Sequence, residues 1–431
     1  MGKKSERSGT DRLIRIHIGS TRQRIDPDKG WRLANPFFLV AALWITILLL
    51  YGAAWSNLCT TLNPYLVIFL VLLICSFLLF GYMFRDQLVV QRTAKPNLHV
   101  IELTTLIICL VLIAGMVYNS NVPLLAVLER QTYNSKATNL PLIGTFFTAA
   151  AIWHISRLGY WYQIYKSRHI LVQIVAIFSL FLITVQRQNI MICTFSVLFA
   201  FWTFRNKGKH FSKSSKIISS LLLFLFIAVA LFVFGAIGNA RYGRWSWNDS
   251  SMISAVGDIN DSYPAWLPRE YIWVYVYLVS PLANLNNNMQ TVAPMGKVGL
   301  IFLQLLPSSI ANRILPTSTA ITPYLAQPSL TASTSYVNAY IMDGVTGMYL
   351  FAIIQQLLIL VMMIAALHDR ESAKFAGVFS VFYYAGLTFF DNPSSYLITS
   401  YLWIIVVLHS FLPQLVHIFK LVANRRPKTN C

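Results

Sequence analysis

The stretch LITVQRQNIMIC, residues 182–193, sets two apolar runs back to back across a four-residue polar knot, Gln186-Arg187-Gln188-Asn189. A chain that reverses between two long apolar segments in so few residues reads as a helical hairpin in a bilayer. The pattern continues in both directions. Ten apolar segments lie near 36–54, 64–84, 100–118, 140–156, 170–185, 190–204, 217–239, 345–367, 375–390 and 396–418. Uncharged runs of roughly twenty residues match a hydrocarbon core about 30 Å thick. The sixth is short for a span, which tilt of its neighbours or local thinning accommodates.

Composition agrees. Of 431 residues, 56% are hydrophobic and 11% charged, with a mean hydropathy of +0.58. A soluble chain of this length carries roughly twice that share of charge. The expected fold class is all-α: a polytopic helical membrane protein with about ten transmembrane helices. Cys59, Cys75, Cys109, Cys193 and Cys431 form neither a disulfide framework nor a zinc site by spacing. The first apolar run follows a long basic leader and reads as a signal anchor.

The basic residues set the orientation. With the N-terminus inside, 26 of the 34 Lys and Arg fall on the inner side and eight on the outer. That asymmetry obeys the positive-inside rule and puts both termini in the cytoplasm. The formal charge of +19 is then a topology signal plus attraction to anionic lipid heads, not a nucleic-acid footprint. The expected organisation is a basic cytoplasmic tail (1–35), seven helices (36–239), a large outer loop (240–344), three helices (345–418) and a second basic tail (419–431). The outer loop holds two short apolar stretches, YIWVYVYLVSPLA (271–283) and VGLIFLQLLPSSI (298–310), expected to form interfacial or re-entrant helices. The Ser/Thr/Pro-rich section 315–335 reads as extended loop.

On this layout Arg187 sits outside, where the sorting rule disfavours it, in a turn too short to be a soluble loop. Arg241 and Arg244 follow in GNARYGRWSW (238–247), and Arg269-Glu270 opens the stretch at 271. Guanidinium groups pair two-pronged with phosphate oxygens, best where water is partly excluded. A single outer arginine equally serves as an anchor to lipid phosphates. The outer acids are Glu129, Asp249, Asp258, Asp261, Glu270, Asp343 and Asp391. Asp343, in YVNAYIMDGVTGMYL (336–350), stands at the mouth of the eighth segment between apolar residues and glycines. A half-buried acid at a helix entrance can act as a base, or simply complement the helix dipole; Glu270 has the same two readings. GDIND (257–261) lacks a third ligand for a cation. The outer aromatics read mainly as an interface belt. Every histidine falls on the inner side or nearer the inner end of a span, and Asp26-Pro27-Asp28 lies in a tail with no nucleotide-binding domain.

The layout resembles the oligosaccharide repeat-unit polymerases, or O-antigen polymerases, of bacterial surface polysaccharide synthesis. The resemblance covers the whole span pattern, with one large outer loop before the last three helices. Locally it rests on Arg187 in its hairpin, GNARYG, YVYLVSPLANLN (275–286) and YVNAYIMDGVTG. The Arg-x10-Gly repeats of some members are absent. The resemblance implies a metal-independent, cofactor-free glycosyltransferase of the bacterial inner membrane. Such an enzyme moves a growing glycan from one polyprenyl diphosphate to the distal sugar hydroxyl of a new lipid-linked repeat, alongside a flippase and a chain-length regulator. Arg187 and Arg241, with Arg244 in reserve, would stabilise the leaving diphosphate. Asp343 or Glu270 would take the acceptor proton. Two alternatives stand beside it: an O-antigen ligase, which would use an outer histidine, and a flippase or exporter of lipid-linked oligosaccharide, which would put charges inside its spans.

Overall fold

The computed structural model describes residues 30–91, 97–120, 122–128, 140, 142–204, 213–242, 248–314, 322–369 and 371–424. The remainder of both predicted tails, part of the Ser/Thr/Pro-rich section and Arg244 lie outside the described residues. The chain is nearly all-α. Its helices are α1 (Pro36–Gly52), α2 (Pro64–Phe84), α3 (Leu98–Tyr118), α4 (Pro123–Leu128), α5 (Ile143–Tyr165), α6 (Arg168–Ile183) and α7 (Arg187–Phe204). There follow α8 (Lys213–Tyr242), α9 (Ser251–Val256), α10 (Tyr271–Thr291), α11 (Ser308–Ile314), α12 (Val337–His368), α13 (Glu371–Leu387) and α14 (Leu397–Asn424). Among the described residues the only sheet is an antiparallel pair, Gly30–Arg32 with Val89–Gln91, which joins the chain before α1 to the chain after α2.

Each of the ten apolar segments coincides with a helix. Three of these, α2, α3 and α12, are long and apolar enough to cross a membrane by length and composition. On α12 the exposed side chains Ile353, Leu357, Val361 and Ile364 recur at helical spacing. A continuous apolar face of that kind suits lipid rather than water.

Asparagine starts the first three long helices. Asn35, Asn63 and Asn97 accept hydrogen bonds from the backbone N–H groups of Phe37, Tyr65 and His99 at 3.0–3.1 Å. Pro36 and Pro64 follow at the first helical position, where a missing N–H costs nothing. Helix α5 is the hub, packed by α3, α6, α7, α13 and α14. Its middle is small and buried, Thr148, Ala149, Ala151 and Ser156, so neighbouring backbones approach closely. Ser196 of α7 donates to Ser156 at 2.7 Å across that contact.

Two boundaries differ from the sequence reading. Helix α5 runs on to Tyr165, so Arg157 lies inside it rather than in an inner loop. Its guanidinium rests 4.8 Å from the Trp161 ring centre and donates to Ser372 at 3.3 Å, so the charge does not end the helix. Helix α10 runs eight residues past the apolar stretch at 271–283, ending in the sequence NLNNNMQT. Its extra turns are held by buried asparagines. Asn284 donates to the carbonyls of Leu330 and Ala332 (2.9 and 2.7 Å) and accepts from Ala326 N (2.8 Å). Asn288 pairs both ways with the Tyr324 backbone, and Asn286 binds Thr60, Thr61 and Asn63. These amides replace the hydrogen bonds that loops 58–63 and 322–332 lack within themselves, which lets irregular chain pack on the bundle.

Candidate functional site

The hairpin turn at 184–186 is tight because Val185 takes a left-handed backbone (φ +50°), unusual for a β-branched residue. Gln186 N–H still reaches back to the Phe181 carbonyl at 3.2 Å, and α7 starts at the next residue, Arg187. The Arg187 side chain lies outside the described ones. Its neighbours are clear: the buried Asn189 donates to the Gln186 side chain, and Gln188 Nε2 donates to the Tyr383 hydroxyl of α13 at 3.1 Å.

Tyr383 leads into the loop between α13 and α14. There the Tyr396 hydroxyl donates to Asp391 Oδ2, and the Asn392 N–H donates to Oδ1 at 2.7 Å. Burial pushes the Asp391 carboxyl above the ordinary range, opposed by these two bonds. Asn392 caps the short 3-10 turn Pro393–Ser395 through Ser394 N–H (3.1 Å), donates to the Gln304 carbonyl (2.7 Å), and accepts from Gln355 at 3.4 Å. Gln355 also donates to Ser335 at 2.5 Å. The result is an uncharged polar nest in which Gln355 Oε1, Asn338 Oδ1, Ser333 Oγ and Thr334 Oγ1 are buried without a partner among the described residues. Next to Asp391, the Phe390 ring stacks on Tyr277 of α10, with centres 6.1 Å apart and planes 7° apart.

Tyr277 connects this loop to the other arginine segment. Its opposite neighbour is Phe234 of α8, 5.8 Å away and edge-on. Helices α8 and α10 touch backbone to backbone, since a Cβ on Gly235 would stand 2.0 Å from the Glu270 carbonyl oxygen. A Cβ on Gly238 would meet the Trp273 ring at 2.6 Å. Asn239, 2% exposed, fastens the crossing: it accepts from Trp273 Nε1 at 2.7 Å and donates to Ser250 at 2.9 Å. Arg241 lies two residues on, in the last turn of α8, with its side chain outside the described ones. Glu270 precedes α10 and makes no capping bond with its side chain.

Asp343 stands at the entrance to the second of the two helical pieces that make up α12, just ahead of the eighth apolar segment. It lies inside α12, six residues from its start, where the helix breaks: Asp343 has φ −148°, ψ 27° and Gly344 φ +64°, ψ −149°. The break frees the carbonyls of Ile341 and Met342, which accept from Met295 N–H (2.9 Å) and Lys297 N–H (2.8 Å). Segment 294–297 is thus zipped onto the interrupted helix, which satisfies backbone groups that a bilayer would leave orphaned. The 3-10 helix Val298–Leu305 continues from it to Gln304, which binds both Asn338 and Asn392.

The acidic GDIND segment is a clasp. Ser56 donates to the Gly257 carbonyl at 2.5 Å, and Asn57 bonds the Asp258 side chain at 3.1 Å. Among the described residues no group of three His, Cys, Asp or Glu could hold a metal ion.

The geometry thus links the Arg187 turn, the Asp391 loop and, through Tyr277, the end of α8. No family model, curated protein or solved structure matches this chain. Asp343 and Glu270, the acids singled out in the sequence, belong to neighbouring but separate arrangements. Sequence reasoning passed over Tyr383, Tyr396, Gln355 and Asn239. A usable signal was present at 391–393, where Asp-Asn-Pro repeats the Asn-Pro signature that opens α1 and α2.

Proposed function

We propose that the chain is a membrane-embedded polymerase of lipid-linked oligosaccharide repeat units. In this reading α1, α2, α3, α5, α6, α7, α8, α12, α13 and α14 cross the bacterial inner membrane, both termini are cytoplasmic, and the Arg187 turn faces outward. The growing glycan passes from its polyprenyl diphosphate to the distal sugar of an incoming lipid-linked repeat. The guanidinium groups of Arg187 and Arg241 stabilise the charge that builds on the departing diphosphate, with Arg244 in reserve. The observation that carries the reading is the Gln188–Tyr383 bond. It ties an arginine-bearing helix start to a half-buried carboxylate loop and an uncharged polar nest, the groups that transfer from a phosphate ester to a sugar hydroxyl needs.

A second reading is favoured by a different observation. Thr105 of α3 bonds His154 of α5 (2.9 Å) and Gln173 of α6 (2.6 Å) deep in the bundle, leaving His154 Nδ1 and Gln173 Nε2 buried without partners among the described residues. Polar groups between spans suit a carrier of lipid-linked oligosaccharide. One experiment separates the two. Arg187→Ala is expressed in a host whose surface glycan runs as a ladder on a gel and depends on this chain. Loss of a polymerase leaves core bearing a single repeat, whereas loss of a carrier, or of a ligase, leaves bare core. An unchanged ladder removes Arg187 from the site.

A further inference from the structure

We propose that Asp391, held by Tyr396 beside the Arg187 turn, is the base that accepts the proton of the acceptor sugar hydroxyl. The proposal rests on the polymerase reading and names a different acid from those the sequence suggests. Its ground is position. Asp391 is the acid whose loop adjoins Tyr383, the residue that Gln188 grips from the first turn of α7. Asp343 lies at the α12 break against segment 294–297, and Glu270 lies against Gly235 on the far side of Tyr277.

The carboxylate is prepared for this role. One oxygen takes the Tyr396 hydroxyl and the other takes the Asn392 N–H, so the group is fixed while each oxygen keeps a free lone pair. Among the described residues no Lys or Arg pairs with it. Two bonds away, Gln355 is 1% exposed; its amide nitrogen contacts Asn392, and its Oε1 has no donor among the described residues. In the step, the acceptor O–H bond breaks and its proton moves to Asp391. The acceptor oxygen bonds to the donor's anomeric carbon, and the carbon–oxygen bond to phosphate breaks, its electron pair leaving with the diphosphate. Asp391 then returns its proton to water.

The test uses full-length protein in lipid vesicles and polyprenyl-diphosphate-linked repeat units extracted from a host lacking this chain. Elongation is followed on gels to give kcat and KM. Asp391→Asn keeps the shape and the Tyr396 contact, so kcat is expected to fall about 100-fold or more with KM within about twofold, on the usual scale of acid–base catalysis. Asp391→Glu is expected to retain part of the rate. A kcat for Asp391→Asn within about threefold of the unsubstituted protein overturns the proposal while leaving the polymerase reading intact. So does a loss carried by KM, or equal loss in the Asn and Glu variants, which marks a structural role. Failure of the unsubstituted protein to elongate the repeats takes down both. Should Asp391→Asn not reach the membrane, Tyr396→Phe decides: about a tenfold fall in kcat at unchanged KM is expected from one lost hydrogen bond, and an unchanged kcat overturns the assignment.

Discussion

Gln188 and Tyr383 meet at 3.1 Å, joining the first turn of α7 to the last turns of α13. The bond joins two hairpins that the sequence separates by nearly two hundred positions and holds the Arg187 turn against α13. Tyr383→Phe removes the hydroxyl and little else. We expect a stability loss of about 1 kcal/mol, read as a lower melting temperature in detergent. A reduced ladder should accompany it, because the turn is then free to shift.

The break in α12 depends on glycine. Gly344 has φ +64°, and a Cβ there would stand 3.1 Å from Pro294 Cγ. Gly344→Ala should therefore cost about 1–2 kcal/mol from the backbone alone. A Cβ on Gly347 would meet the Ala339 carbonyl oxygen at 2.5 Å and Asp343 Cβ at 2.9 Å. Gly347→Ala should cost more than Gly344→Ala, and thermal melting of the two variants checks the order.

Asn288 holds loop 322–332 through the Tyr324 N–H and carbonyl, at 2.9 and 2.7 Å. Asn288→Ala leaves both backbone groups without those partners, at a cost of about 1–3 kcal/mol. The loop should become the first site of protease cleavage in vesicles, whereas Asn287→Ala, at a less buried position, should leave the digestion pattern unchanged.

On the proposed polymerase function, Asp391 should give the pH–rate profile an acidic limb above the ordinary carboxylate range, because burial raises its pKa. Among the described residues the titratable side chain in contact with it is the Tyr396 phenol. Activity needs the ionised form, so the rate falls as pH drops through the raised value, and Asp391→Asn should abolish that limb. Stability runs the other way. The folded chain holds this proton more tightly than the unfolded chain, so the contribution declines as pH rises from the ordinary value through the raised one. A pH–rate profile and melting curves on one preparation check both signs.

The helices were legible because apolar runs of bilayer length leave few alternatives. Their ends were less so. Arg157 resembles a loop charge until Ser372 and Trp161 are brought to it by folding, and NLNNNMQT resembles a loop until Asn284, Asn286 and Asn288 find backbone partners far along the chain. Asp343 illustrates the same limit: its place at a helix entrance could be read, but the partner that stabilises the break there, segment 294–297, is some fifty residues away. Of the site, the polar knot at 186–189 could be read directly. Its neighbours Tyr383, Asp391 and Tyr396 could not, since an individual tyrosine or aspartate carries no sign of what it will face.

The central claim is that the Arg187 turn lies on the outer face, where the lipid-linked diphosphate waits. Arg187→Cys, in a chain whose five native cysteines are replaced by serine, is treated in intact spheroplasts with a membrane-impermeant maleimide. The account predicts labelling at position 187 before lysis; labelling that appears only after the membrane is opened contradicts it.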